Sequence, residues 1–444
     1  MCAPEATCMN PYRVGSWKNK GASVKLEIQH PSRPRKEAQI PMRLAYLLRS
    51  HLRLQAHRVV RVRRRRGGKL EARVERIGKR KLKCGQCGRR VGGTRGQSAE
   101  RRWQDLKVLG IPLVIVYAPW RVDCPVCGVK RERVPWARKR ARVTRPLGRA
   151  VAVWARRLSW TDTAALFGVN WKTVVKIVRQ AVDFGLKRRR IAPVSVLGVD
   201  EVSRAKGHKY FTLFYDLKRG LLLWVGEDRT EATAKAFFDW FGEGVKHVTA
   251  ACLDMWAPYV AAFKARAEKA VLVFDRFHLV RHLNEAVDEV RRAMVRELKG
   301  DERAEMKGTR YLWLKNPWNL KVAERPRLAA LLRQHLPIVK AYLLKESFRD
   351  FWSHQVREEA GKFLKHWFWM ATHSRLKPLR EFAWRLRRHE EGILAWIDLR
   401  ISNGAVEGMN TKIQSVAWRA FGFRTSSHFK LAIYHCCADL PLPS

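Results

Sequence analysis

A chain of 444 residues with 46% hydrophobic side chains, 18 Trp and 18 Phe among them, can bury several cores and is expected to fold into about two to four domains. Its 90 Lys+Arg against 40 Asp+Glu give a formal net charge of +50, more than solubility requires, which points to a polyanionic partner, nucleic acid before membrane. No charge-free run of about 18 apolar residues occurs, which excludes a spanning helix, and the opening "MCAPEATCMNPYRVGSWKNKG" lacks a signal peptide's apolar core, so a cytoplasmic protein is expected.

Residues 1–41 match no element and are expected to be disordered, with Met42 before "RLAYLL" as an alternative start. Residues 42–144 read as a basic zinc-ribbon domain. Four of nine cysteines fall as Cys84-x-x-Cys87 and Cys124-x-x-Cys127, each pair followed by glycine in "CGQCG" and "CPVCG". Two tight turns that each present two thiolates complete a tetrahedron around a structural Zn²⁺. Disulfides or free thiols are the alternative, and a reducing compartment disfavours the former. The apolar, β-branched "LGIPLVIVYAPWRVDC" is expected to supply strands that return the second pair to the first. "HRVVRVRRRRGGKLEARVERIGKRKLK" at 57–83 alternates base with apolar residues, as strands with one charged face do. With "KRERVPWARKRARVTRPLGR" at 130–149 it offers phosphate contacts that are blind to sequence and sensitive to salt.

Residues 145–190 are expected to form a helix-turn-helix DNA-binding domain and a basic linker. Thr161 is read as the cap of a short helix, Gly168 with Val169 as the turn, and Asn170 as N-cap of "WKTVVKIVRQAV". Val174, Val175, Ile177 and Val178 make the buried stripe, leaving Trp171, Lys172 and Thr173 at the exposed first turn, where a recognition helix meets base edges. Any three-helix core gives a similar pattern. Arg188, Arg189 and Arg190 close the linker as phosphate contacts.

From 191 the period changes. "VSVLGVDEV", "KYFTLFYDL" and "GLLLWVGED" read as an antiparallel meander, "TEATAKAFFDWFGEGV" as a helix and "KHVTAACLDMW" as a strand. Then come helix "APYVAAFKARAEK", strand "AVLVFDRFHLV" and helix "RHLNEAVDEVRRAMVREL". The order β-β-β-α-β-α-β-α makes the fold class α/β, a ribonuclease-H-like core, with its first part at 191–299. The first and fourth strands should lie side by side and bring Asp200 to Asp254. Paired carboxylates on separate strands suit phosphodiester chemistry with two Mg²⁺ (or Mn²⁺) ions. Alternate strand residues face opposite sides, so Asp200 and Glu201 should not both point at one site. Residues 300–398 read as a helical insertion with seven of the 18 tryptophans, most of them expected in cores and some able to stack on flipped or frayed bases. Residues 399–444 supply C-terminal helices in which Ser402 or Asn403 caps a helix carrying Glu407, with Asn410 on the same face.

"GVDE" at 198–201, "DMWAPYV" at 254–260, "FDRFHLVRHLNEAVDEVRR" at 274–292 and "SNGAVEGMNTKIQSVAWRAFGFR" at 402–424 together resemble the DDE-type transposases of bacterial insertion sequences, in particular the ISL-three family. The likeness runs over about 80–440, with "GVKRERVPW" after Cys127 departing from the family's usual wording. It implies that Asp200, Asp254 and Glu407 form a metal-binding catalytic triad, with Asp275 the alternative second acid and His278 beside it, either contacting phosphate or packed in the core. The same resemblance implies double-stranded DNA partners, the transposon ends and the target, bound by a homodimer at the nucleoid and by no membrane. A catalytically silent DNA-binding regulator and a nuclease that cuts without joining are the competing functions.

Overall fold

The charged-face alternation of the first module becomes a sheet. The computed structural model describes residues 42–443 except 52, 53, 55, 79, 80, 206, 208 and 335, so what was expected of residues 1–41 lies outside the described residues. After α1 (Met42–His51), β1 (His57–Arg64) pairs antiparallel with β2 (Leu70–Arg76), turning outward the arginines between Val62, Ala72 and Val74. A small hairpin, β3 (Leu82–Lys83) and β4 (Arg90–Val91), frames the first cysteine pair. Strand β5 (Thr94–Gln97) follows, then β6 (Arg101–Val108), β7 (Ile111–Tyr117), β8 (Trp120–Cys124) and β9 (Gly128–Arg131). The main sheet has the order β1-β2-β7-β6, while β5-β8-β9 bring the second cysteine pair back to the first, as the apolar run required. Trp136 plugs this module, edge-on to His57, Trp103 and Tyr117 with centroids 5.1 to 5.7 Å apart.

Three helices follow: α2 (Arg145–Trp154), α3 (Trp160–Phe167) and α4 (Trp171–Arg188). The cap of α3 is Ser159 and not Thr161. Ser159 Oγ accepts the Asp162 N–H at 3.0 Å, whereas Thr161 already lies inside the first turn. Gly168 ends α3 in the left-handed region at φ 62°, and Asn170 Oδ1 accepts the Lys172 N–H at 2.9 Å to start α4. The buried stripe of α4 is continuous with Phe211, Tyr215 and Val225 on one face of the central sheet and with residues of the last two helices. The three helices therefore share one core with the sheet.

That sheet begins with β10 (Val196–Ala205), β11 (Lys209–Asp216) and β12 (Leu221–Glu227) as an antiparallel meander, and continues through α5 (Glu231–Phe241), β13 (Ala250–Leu253), α6 (Ala257–Arg266), β14 (Val271–Phe274) and α7 (Arg276–Glu297). Its order is β12-β11-β10-β13-β14, with β10, β13 and β14 parallel. The strand expected across "AVLVFDRFHLV" stops at Phe274, because Asp275 turns the chain and "FHLV" is already the first turn of α7. The strand expected from Lys246 likewise starts only at Ala250, after a 3-10 turn.

Seven helices follow: α8 (Gly300–Met306), α9 (Arg310–Leu314), α10 (Glu324–Leu332), α11 (Pro337–Phe348), α12 (Arg357–Thr372), α13 (Lys377–Arg387) and α14 (Glu390–Leu399). They share a core with the other face of the sheet, which buries Trp313, Trp352 and Trp367, half-buries Trp396 and leaves Trp318, Trp369 and Trp384 exposed. Gly392 permits the docking: a Cβ there would lie 2.3 Å from the Phe274 ring, so α14 crosses β14 only where the side chain is missing. The chain ends with α15 (Gly404–Arg419) and α16 (Ser426–Cys437).

Candidate active site

Parallel strands deliver their C-terminal ends to one edge, and the next residue of each is free to leave the sheet. Asp254 follows β13, Asp275 follows β14, and Asp200 sits on the central β10 between them and the meander. Helix α7 starts at Asp275, so His278, Arg281 and His282 fall on one face of its first two turns and look back at the acids. His278 stands among three carboxylates: Nε2 lies 3.6 Å from Asp200 Oδ1 and 4.0 Å from Asp275 Oδ2, and Nδ1 lies 3.5 Å from Asp254 Oδ2. His278 is buried, and what it packs against is this set of carboxylates.

Asp254 is the most heavily countered acid. Arg229 Nη2 approaches its Oδ2 to 3.0 Å and Arg281 Nη2 to 3.6 Å, while His282 Nε2 is 3.6 Å from Oδ1. Burial would push this carboxyl up, but the His282 contact and the charges of His278, His282 and Arg229 outweigh it and bring it down to about 2. Asp275 and Glu201 go the other way, both raised chiefly by burial. Burial would lower His278, yet its contact with Asp200 and the field of Asp254 raise it. Glu201 turns to the opposite side of β10, as alternation demands. There it meets Arg229 Nε at 2.9 Å, and that guanidinium, stacked 4.3 Å over Trp256, ties Glu201 to Asp254.

Helix α15 is hung on this cluster at two points. Asn403, just before it, donates its backbone N–H to Asp275 Oδ1 at 3.2 Å and its side-chain amide to the Val199 carbonyl at 3.2 Å. It holds the N-cap position of α15 without a side-chain cap bond, its amide turned to the strand where Gly198 leaves room for it, while Ser402 Oγ accepts the Gly404 N–H at 3.4 Å. Asn410 Nδ2 donates to Asp200 Oδ2 at 2.5 Å. Glu407 lies four residues after the first anchor and three before the second, on the same helical face, with an exposed side chain. The sequence reading missed Arg229, Arg281 and His282, and took Asn403 only as a helix cap. The i, i+3, i+4 spacing of His278, Arg281 and His282 was a visible signal, whereas Arg229 reaches the acids from a loop that no local pattern marks.

Among the described residues, the four cysteines are the group of His, Cys, Asp or Glu whose ligand atoms all lie within 4.8 Å of one another. Cys87 Sγ and Cys124 Sγ are 3.6 Å apart, close to the roughly 3.8 Å edge of a tetrahedron with Zn–S bonds of about 2.3 Å. The backbone N–H of Val126 lowers the Cys124 thiol to about 7, whereas burial and the neighbouring thiols raise Cys127 to about 12. The acids are less closely gathered, but Asp254 Oδ1 is buried without a hydrogen-bond partner among the described residues and offers the hard oxygen that a divalent cation takes.

Trp171 and Lys172 are exposed at the start of α4, and Thr173 is half-buried beside them. Arg188 lies over the Phe184 ring at 3.9 Å, and Arg190 is exposed. Arg189 is engaged within the protein: its guanidinium donates to the carbonyls of Leu222 and Leu223 at 2.8 and 2.7 Å and so fastens α4 to β12. Between the cysteine module and α4 opens a basic cleft of about 680 Å³, lined by Arg101, Arg131, Arg138, Arg145 and Arg188. Its acid, Glu132, is already taken by Tyr117 and Trp120. Burial, then neighbouring guanidinium groups, lower Arg101, Arg138 and Arg145, a crowding of positive charge that a bound polyanion would relieve.

Residues 197–433 match a family model described as transposase, of the DDE type in family ISL3, and residues 132–182 match the helix-turn-helix domain of transposase family ISL3. The transposase for insertion sequence element IS1001 of Bordetella parapertussis is 30% identical over 79% of this chain and 87% of its own length. The transposase for insertion sequence element IS1557 of Mycobacterium tuberculosis is 32% identical over 81% of this chain and 86% of its own. Among solved structures, the Drosophila P element transposase strand transfer complex aligns with 65% of this chain and 90% of that one at 10% identity. Its TM-score of 0.38 is too low to establish a shared fold.

Proposed function

Because the chain belongs to transposase family ISL3, we propose that it binds the terminal inverted repeats of its insertion sequence and cleaves and joins DNA at the acid cluster, with Asp200, Asp254 and Glu407 as metal ligands. The observation that carries this is the gathering of Asp200, Asp254 and Asp275 around His278 at adjacent strand ends, under a helix that presents Glu407. The sheet order with β10 central and flanked by β11 and β13 supports a ribonuclease-H-like core. Two Mg²⁺ or Mn²⁺ ions bound there would activate the attacking hydroxyl and stabilise the leaving oxygen.

The chain's own groups prepare that site. Arg229, His278, Arg281 and His282 keep Asp254 ionised in a buried setting. Asn410 takes one Asp200 oxygen and so fixes the carboxylate's rotation. Asp275, bonded to the Asn403 N–H, positions α15 and with it Glu407. The four cysteines hold a structural Zn²⁺, and the basic trough with α4 grips the element end. A homodimer brings the two ends together, a stoichiometry that light scattering of the end complex measures.

The test is cleavage and strand transfer on DNA carrying the element's own end. Asp200→Ala, Asp254→Ala and Glu407→Gln should each abolish Mg²⁺-dependent cleavage and spare end binding, because the acids hold metal and not duplex. Glu201→Ala should still cut. Loss of cleavage in Asp275→Ala with retention in Asp254→Ala would reassign the second acid.

A further inference from the structure

We propose that the turn between α15 and α16 is a second DNA contact, which lays Phe421 and Trp418 into the minor groove beside the major groove entered by α4, a proposal that rests on α4 being the helix that reads the element end. The turn stands at the far end of α15 from Glu407, about 20 Å along the helix axis, and so outside the acid cluster.

Phe421 occupies the position just past the C-cap Ala420, where a helix commonly ends on glycine because the backbone turns left-handed. Here φ is 51° on a phenylalanine, and the glycine, Gly422 at φ 88°, comes one residue later. The N–H groups of Phe421 and Gly422 donate to the carbonyls of Trp418 and Ala417 at 2.9 and 2.8 Å, which orders the turn. The strained geometry brings the ring no burial: Phe421 is 100% exposed, and Trp418, one turn back, is 73% exposed. Two large rings held in water by an ordered turn form a surface for a partner.

The neighbours of the turn identify that partner. Arg419 donates to the carbonyls of Arg157 and Arg156 at 2.7 and 3.3 Å, and Phe423 and His428 each lie edge-on to Trp160, the first residue of α3, at 5.6 Å between centroids. His428 also meets Trp171, the first residue of α4, at 6.3 Å. The turn is therefore packed against the N-terminal ends of both helices of the helix-turn-helix. In such a unit the second helix enters the major groove by its N-terminal end, and the first crosses the phosphate backbone beside it. Beyond that crossing lies the adjacent minor groove. Arg157 and Arg424, on either side of the joint, are exposed and pair with no carboxylate among the described residues. The surface thus attracts phosphate and repels another copy of a chain of net charge +50. Apolar rings between arginines are what minor-groove proteins insert at a base step, kinking the duplex by roughly 20–90°.

The experiment uses the full chain and a duplex carrying the element's end, with a fluorescent dye at each terminus. The variants are Phe421→Gly, which keeps the left-handed turn and relieves its strain, and Trp418→Ala, which removes an exposed ring; neither should melt lower than the wild type. Each should bind the end about tenfold more weakly and lose hydroxyl-radical protection in one minor groove, while methylation protection in the major groove read by α4 remains. Energy transfer between the dyes should fall as the kink is lost. Wild-type affinity, footprint and bend in both variants would overturn the proposal. So would a change confined to oligomeric state in light scattering, which would make the turn a self-association surface. Failure of the wild type to prefer the end over random duplex, or a preference unchanged in Lys172→Ala, would instead refute the reading of α4, and the inference with it.

Discussion

Arg229 offers the sharpest test of how the acid cluster is held together. Its guanidinium lies 2.9 Å from Glu201 and 3.0 Å from Asp254, two carboxylates with side chains only 9% and 5% exposed. Replacing it by Met keeps an unbranched side chain on the Trp256 face and removes only the charge. Breaking a fully buried ion pair by deleting one partner costs about 3–5 kcal/mol. Here the arginine is 25% exposed and Asp254 retains His278, Arg281 and His282, so Glu201 carries most of the penalty and about 2–3 kcal/mol is expected. Urea denaturation reads this loss, and the decisive arm is Arg229→Met in a Glu201→Gln background. A neutral amide needs no counter-charge, so the second substitution should recover more than half of the loss. An undiminished loss in the double variant would refute the pairing argument and leave Arg229 as a packing residue only.

Cys84→Ser or Cys124→Ser should release one zinc per chain by metal analysis and loosen the N-terminal module, since a structural site contributes folding energy directly; freshly purified protein without zinc removes the claim. Lys172→Ala or Thr173→Ala should lower the preference for element ends over random duplex by about 1–3 kcal/mol for each base edge that is no longer read. Arg188→Ala and Arg190→Ala should weaken both duplexes alike and flatten the salt dependence, and Arg189→Ala should instead lower stability, all checked by competition binding at two salt concentrations with parallel melts. His435, buried and hydrogen-bonded to the Ala152 carbonyl at 2.8 Å, is lowered from 6.5 to about 4, first by burial. A depressed histidine contributes stability above the unfolded pKa that is lost as pH falls toward the folded one. Acidification from pH 7 to 4 should therefore cost up to about 3 kcal/mol, an upper bound, and His435→Leu should abolish that part of the pH dependence.

What the sequence by itself determined is whatever is encoded over a few residues. The two C-x-x-C turns, the glycine and asparagine that end α3 and start α4, and the order of strands and helices from 195 to 297 all depend on local geometry, and the structure shows them there. Boundaries failed where two local signals compete: Ser159 displaced Thr161 because a capping side chain must precede the first turn, and "FHLV" has the apolar character of a strand but follows a residue that starts a helix. The placement of Asp200 and Asp254 near one another followed from strand order, since parallel neighbours end at the same edge. Only the tertiary structure decided what surrounds them. His278 entered the acid cluster because α7 begins where β14 stops, Arg229 reached across from a loop to join Glu201 and Asp254, and α15 was fixed by two asparagines contacting strands some two hundred residues earlier. Those contacts satisfy charge and hydrogen-bonding needs that arise only when burial removes water. No sequence period records them, because the partners are chosen by proximity in space and not by spacing along the chain.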